Sequence, residues 1–240
     1  MNASNVKLLV IGGILVLTIF VIWFFNGRNN KNNSNENFPT ENLAYTEEEA
    51  QSFYSKKIIK YIDTFKGSFF MSYLVENTDK NGKVTSYNEE YSVDRDSGAI
   101  SIYEVDSFQR ILIKGQTMYY VDINNKTVTV VDSGTELQQY VDDQFGKMLF
   151  TSLNDVNRAF STMGNEEVNG VNFYFEEYNI TDSTATKVRY YFDDNDNIKY
   201  MKIFYDNGIV SLLTVNTIDT QIHDSSFTIP DDYTFITQNS

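Results

Sequence analysis

The chain has 240 residues, no cysteine and a formal net charge of −14. The lack of cysteine removes disulfides, thiolate catalysis, Cys-ligated zinc and a lipid-modified N-terminal Cys together. The acidic balance excludes broad electrostatic attachment to nucleic acid, and 41% hydrophobic with 15% aromatic residues suffices for one large, strand-rich domain plus appendages.

After a short tail, residues 1–7, the segment Leu8–Phe25 is uncharged and almost wholly apolar. Its 18 residues would span roughly 27 Å as a helix, close to the thickness of a hydrocarbon core. Trp23, Phe24 and Phe25 stand at one end, where amphipathic rings favour the interface. A cleaved signal is the rival reading, but it has a shorter apolar stretch followed by small residues. The expectation is an uncleaved, single-pass transmembrane anchor over residues 8–25. Lys7 on one flank and Arg28 with Lys31 on the other leave orientation undecided by charge. A long folded domain translocates regardless of these flanks, so the body is expected outside the cytoplasm, at the cell membrane. Residues 26–45 are Asn-rich with little to bury, and read as a flexible stalk.

Residues 46–240 read as the extracytoplasmic domain. Thr46 with Glu49 forms a capping box, and Ala50, Phe53, Tyr54, Ile58, Tyr61, Ile62 and Phe65 recur at helical spacing, so a helix is predicted over Thr46–Phe65, stopped by Gly67. Strands follow over Ser68–Asn77, Lys83–Asp94, Ala99–Asp106, Arg110–Lys114, Thr117–Ile123 and Thr127–Val131. Their short polar connections imply antiparallel neighbours in a meander. Helical spacing returns over Thr135–Thr151, and Leu153–Met163 reads as an ambiguous second helical piece. Val171–Thr217 then reads as four strands separated by Thr181–Thr186, Asp193–Asn197 and Asn207-Gly208. Asn207-Gly208 suggests a two-residue turn, since Asn-Gly tolerates positive φ at both central positions. Near the end, Ser226–Ile229 is a short strand-like piece.

No catalytic motif emerges. Asp193–Asn197 lacks the Gly and Glu that an EF-hand loop requires, holding Ile198 and Phe204 instead, and reads as a polar hairpin turn. His223 is the lone histidine, and no GxSxG elbow accompanies it. Glu166, Glu167, Glu176 and Glu177 flank Asn169-Gly170, and read as solvated strand and turn carboxylates rather than a glycosidase pair. The informative feature is the hairpin 198–215, apolar on both faces. Under a two-residue turn, one face carries Tyr205, Val210, Ile203, Leu212, Met201 and Thr214. The other carries Tyr200, Phe204, Leu213, Val215 and Ile198, with Lys202 and Ser211 placed to meet a polar headgroup at a rim. Helices can cover one face; a cavity, ligand or second sheet must cover the other.

The order of anchor, amphipathic helix, long meander and mid-chain helical insertion resembles the LolA-like lipoprotein carriers and the related mycobacterial lipid-binding lipoproteins. The closing phrase Phe227-Thr228-Ile229-Pro230-Asp231-Asp232-Tyr233 is similar to that family's hydrophobic-Ile/Leu-Pro-x-x-Tyr ending. The resemblance implies a mainly β (α+β) fold: a single strongly curved antiparallel sheet, a half-barrel, with an N-terminal helix and a helical insertion. It further implies a non-enzymatic binder of lipid or lipoprotein acyl chains, without cofactor. A retained anchor departs from a carrier that shuttles between membranes. Two other readings stand beside it: a protein-interaction module of the cell envelope with a self-filled groove, and a glycan binder using Tyr190, Tyr191 and Tyr200 as platforms.

Overall fold

A computed structural model describes residues 56–115, 117–132, 148–181 and 183–237. The predicted anchor 8–25, the stalk, the capping box at Thr46 and most of the predicted helix Thr135–Thr151 lie outside them. The chain enters through a 3-10 turn, Lys57–Tyr61, that runs into helix α1, Ile62–Lys66. Gly67 ends it, its N–H donating to the Asp63 carbonyl at 3.1 Å.

Strands β1 (Phe69–Thr78), β2 (Val84–Asp94), β3 (Ala99–Glu104), β4 (Gln109–Lys114), β5 (Thr117–Asp122) and β6 (Thr127–Asp132) follow as the expected meander. Helix α2 covers Leu153–Ala159 and is capped by Ser152, whose hydroxyl accepts from the Asp155 N–H at 3.2 Å. The predicted helical piece ends there. Phe160–Val168 is strand β7, because Phe, Thr and Val in this stretch suit a ladder and its partner β8 is aromatic-rich. The opening stretch of the second half forms the four anticipated strands: β8 (Val171–Asn179), β9 (Ala185–Phe192), β10 (Ile198–Tyr205) and β11 (Val210–Asp219). The strand-like piece predicted over Ser226–Ile229 is not a strand: a 3-10 turn covers Asp224–Ser226 and irregular chain follows, and the last described strand, β12, is Thr234–Thr237.

All strands among the described residues join one twelve-stranded sheet in the order β12-β6-β5-β4-β3-β2-β1-β11-β10-β9-β8-β7. Every pairing is antiparallel except β12 with β6. β1 and β11 zip the two meanders together at the centre. The sheet is open, with β12 and β7 as its edges.

The hairpin 198–215 is built differently from expectation. Phe204 pairs with Val210, and Tyr205 N–H donates to the Ile209 carbonyl at 3.0 Å. The loop is therefore Asp206-Asn207-Gly208, closed by Gly208 N–H on the Tyr205 carbonyl at 3.1 Å, and only Gly208 has positive φ, at 83°. A type I turn followed by a left-handed Gly is the three-residue solution to a hairpin. It shifts register by one residue, and with period-two side chains that moves half of every inferred pair to the opposite face.

Candidate functional site

The two faces of the sheet have different chemistry. On the face that receives α1, directly opposed residues form rungs across β1–β5. One runs Phe69–Val93–Ile100–Ile113–Met118, the next Met71–Tyr91–Ile102–Ile111–Tyr120, and the next Tyr73–Glu89–Glu104–Gln109–Asp122. The first rung is buried throughout. In the second, Ile102, Ile111 and Tyr120 are only half-buried. The third is an acidic rim.

Over β8–β11 this same face is sealed. Ile58 and Phe65 are fully buried against Tyr190, Met201 and Leu213, with Phe150 and Val156 in the same cluster. Phe150 packs on Tyr178 at 4.8 Å between ring centroids, and the Tyr190 hydroxyl donates to the Met148 carbonyl. Glu176 is fully buried in this layer. Its carboxylate accepts from Lys57 N–H at 2.6 Å, Ile58 N–H at 3.2 Å, Tyr178 Oη at 2.8 Å and Tyr174 Oη at 3.3 Å. It pins the start of the helical segment to the sheet. Lys56 Nζ lies 4.4 Å over the Phe160 ring, and burial lowers its pKa against the opposing pull of the Glu176 charge. The polar turn at Asp193–Asn197 is the second pin. Asp193 accepts from the Asn195 and Asn197 N–H groups, while Lys60 Nζ reaches the Asn195 carbonyl at 3.3 Å and Asn197 Oδ1 at 3.2 Å. A lysine ammonium thus occupies the oxygen-rich turn that invited a calcium reading. Among the described residues no group of three or more His, Cys, Asp or Glu is placed to hold a metal ion.

The opposite face is polar and strapped. Glu166, Glu177, Arg189 and Lys202 form one ion-paired ladder, with Arg189 Nη2 at 2.5 Å from Glu177 and Lys202 Nζ at 3.0 Å from Glu166. Burial pushes the Glu166 pKa up, but hydrogen bonds from Lys202 and Tyr191 prevail and hold the carboxyl below its ordinary value. Arg189 lies 4.2 Å over the Phe175 ring, and Phe175 fills the space beside Gly164, where a Cβ would come within 3.2 Å of it. Toward the other end, the chain after β11 crosses this face. Phe227 plugs against Ala99 and Leu112, His223 stacks edge-on against Phe70, and Arg110 Nη1 donates to the Ser225 carbonyl at 2.9 Å.

The residues singled out from the sequence do not converge. Tyr200, Lys202 and Phe204 lie on the strapped face: Tyr200 packs against Phe173 and Tyr191, and Lys202 is committed to Glu166. Leu213, Val215 and Ser211 lie on the other face, because Leu213 opposes Met201 and Ser211 opposes Ile203. All three are buried, and Ser211 Oγ bonds Asn77 Oδ1 at 2.5 Å. The one-residue register slip is the cause. The tyrosine platform also fails, since Tyr190 and Tyr191 are both 0% exposed. The reading of the Glu pairs as solvated is corrected too, Glu176 and Glu177 being buried. Sequence reasoning missed the half-buried patch on the β2–β5 side. Its signal was present in the alternation Ile100, Ile102 against Ile111, Ile113.

No family model matches the sequence, and no curated protein matches it. Solved structures do. The chain is similar to LolA-superfamily structures. LprF from Mycobacterium bovis aligns at 13% identity and TM-score 0.44, over 77% of this chain and 98% of that one. The lipoprotein LppX from Mycobacterium tuberculosis aligns at 13% identity and TM-score 0.42, over 72% and 98%. A LolA superfamily protein from Nitrosomonas europaea aligns at 13% and 0.35, over 75% and 97%. The likeness lies in architecture alone.

Proposed function

We propose that this is a membrane-tethered, non-enzymatic domain outside the cytoplasm that binds an apolar molecule against the helix-bearing face of its sheet. One observation carries the reading. That face is sealed over β8–β11 but, among the described residues, leaves Tyr87, Ile102, Ile111, Tyr120 and Tyr205 half-buried around β2–β5 and the end of β10. The strapped face already supplies the polar side that a single-layer sheet shows to water; on the core side, the side chains of Ile102 and Ile111 and the rings of three tyrosines are left partly uncovered. The polar end of a ligand would meet Glu89, Glu104 and Asp122 at the rim, so a neutral or cationic headgroup suits it better than an anionic one. Burying apolar surface gains roughly 25 cal/mol per Å², so a chain covering ~300 Å² gains several kcal/mol before the costs of association.

A secreted fragment of residues 46–240 is expected to unfold cooperatively and to carry a co-purifying lipid in native mass spectrometry. Ile111→Trp, which fills the patch while staying apolar, is expected to lower binding of a fluorescent fatty amine about tenfold or more, scaling with the lost contact area. No co-purifying lipid together with equal probe binding by both proteins would reject the patch as a binding site, and a protein-interaction role would take its place.

The tether rests on the apolar run 8–25 and the stalk after it. Among the described residues no helix is long and apolar enough to cross a membrane, so the anchor is carried by sequence. Protease added to intact cells is expected to remove the domain. Full protection, in cells whose known surface proteins are cleaved, would place it inside.

A further inference from the structure

The two sheet edges are unlike. β12 has four residues and runs parallel to β6. β7 has nine residues, Phe-Ser-Thr-Met-Gly-Asn-Glu-Glu-Val, and among the described residues nothing pairs with its outer side. Ser161, Thr162, Met163, Asn165 and Glu167 are exposed, Met163 by 55%. An unpaired edge offers a row of free N–H and C=O groups to another strand, and proteins usually blunt such an edge with Pro or Lys. β7 has neither.

We propose that β7 pairs antiparallel with β7 of a second copy, on a two-fold axis through Gly164. β7 is irregular between Phe160 and Thr162, and on its regular part this register matches the five residues Thr162–Glu166 around that glycine. Thr162 then faces Glu166 and Met163 faces Asn165, while Ser161 stands at the irregularity and Phe160 turns to the helix-bearing face beside Tyr178. Glutamates never oppose each other, whereas a register centred between Glu166 and Glu167 sets like charge directly against like charge, which is unfavourable across strands. Glycine at the axis leaves no side-chain pair at the two-fold position, and the space where its Cβ would stand is covered by Phe175. The contact is isologous and closed, unlike a β7–β12 contact, which would propagate head to tail. It would join two sheets into one while leaving both helix-bearing faces intact.

The chain has no cysteine, so introduced ones report cleanly. Full-length Met163→Cys and Asn165→Cys proteins, mixed in detergent and mildly oxidised, are expected to give the mixed disulfide dimer at ten times or more the yield of a Val84→Cys control, whose residue is exposed at the far hairpin of β1 and β2. Thr162→Lys added to both is expected to abolish it. Yields no greater than the control, equal yields from all pairings of the two variants, or a protein mass of one chain per micelle by light scattering would each overturn the proposal.

Discussion

Glu176→Ala is expected to cost the domain about 4 kcal/mol, in line with the loss of one partner from a buried charged network. Four donors converge on this carboxylate: the Lys57 and Ile58 N–H groups and the Tyr174 and Tyr178 hydroxyls. The alanine leaves the Ile58 N–H and the Tyr178 hydroxyl without their acceptor where Ile58, Tyr178 and residue 176 are inaccessible to solvent, whereas the Lys57 N–H and the Tyr174 hydroxyl are part-buried and can turn to water. Lys56 also loses its counter-charge while remaining 6% exposed. Denaturant unfolding of wild type and variant measures the loss. Hydrogen exchange separates its two sources: the amides of residues 57–66 should open first, before those of β8–β10. Glu176→Gln keeps acceptor oxygen but turns an amide toward donors, and should fall between the two. A loss below about 1 kcal/mol for the alanine, with α1 still protected, would mean that the apolar contacts of Ile58 and Phe65 dock the helix without the carboxylate.

The hairpin succession was legible because turn chemistry is local. Asn81-Gly82, Ser97-Gly98 and Asn169-Gly170 sit between periodic runs, and Gly82, Gly98 and Gly170 take the positive φ those turns require. Asn207-Gly208 sits in a turn as well, but the pair alone does not say how many residues close the loop. Asp206 joins it, and that single residue redistributes Phe204, Leu213 and their neighbours between faces. The strand at Phe160–Val168 was missed for another reason. It is an edge strand, its burial alternates only weakly, and its helical appearance came from the real helix just before it.

Much of the candidate site depended on pairings distant in sequence. The contact between β1 and β11, which sets which half of the molecule is sealed, joins residues such as Tyr73 and Val215. Glu176 and Glu177 look identical in the sequence, yet alternate across the sheet into different networks: one caps the helical segment, the other pairs with Arg189 and Lys187. Only tertiary packing distinguishes them. By contrast, the Asp193–Asn197 turn was readable as a turn, because its Asx hydrogen bonds are formed within the loop.

Glu89→Gln is expected to stabilise the protein by about 3 kcal/mol at pH 8 and to change little at pH 4. Glu89 is half-buried at the rim of the helix-bearing face, with the Tyr73 hydroxyl donating to its carboxylate and Glu104 directly opposite on β3. Desolvation raises its pKa from 4.5 to about 7, assisted by the Glu104 charge and opposed by the Tyr73 hydrogen bond. The raised value means that the folded state keeps a proton the unfolded chain has lost. Below pH 4.5 both states are protonated and the residue is neutral to stability. Between 4.5 and about 7 only the unfolded chain ionises, so stability falls as pH rises; above about 7 the full penalty remains. Glutamine cannot ionise and still offers an oxygen to Tyr73, so its stability should be flatter across that window. Unfolding midpoints at pH 4 and pH 8 decide it: an equal difference between the two proteins at both pH values would show that Glu89 is ionised in the fold. The same proton sits on the rim proposed to meet a ligand's polar end. A cationic amphiphile would therefore hold the carboxylate ionised, and its binding to the native domain should release a proton near pH 6.5, within the shifted window, that binding to Glu89→Gln does not.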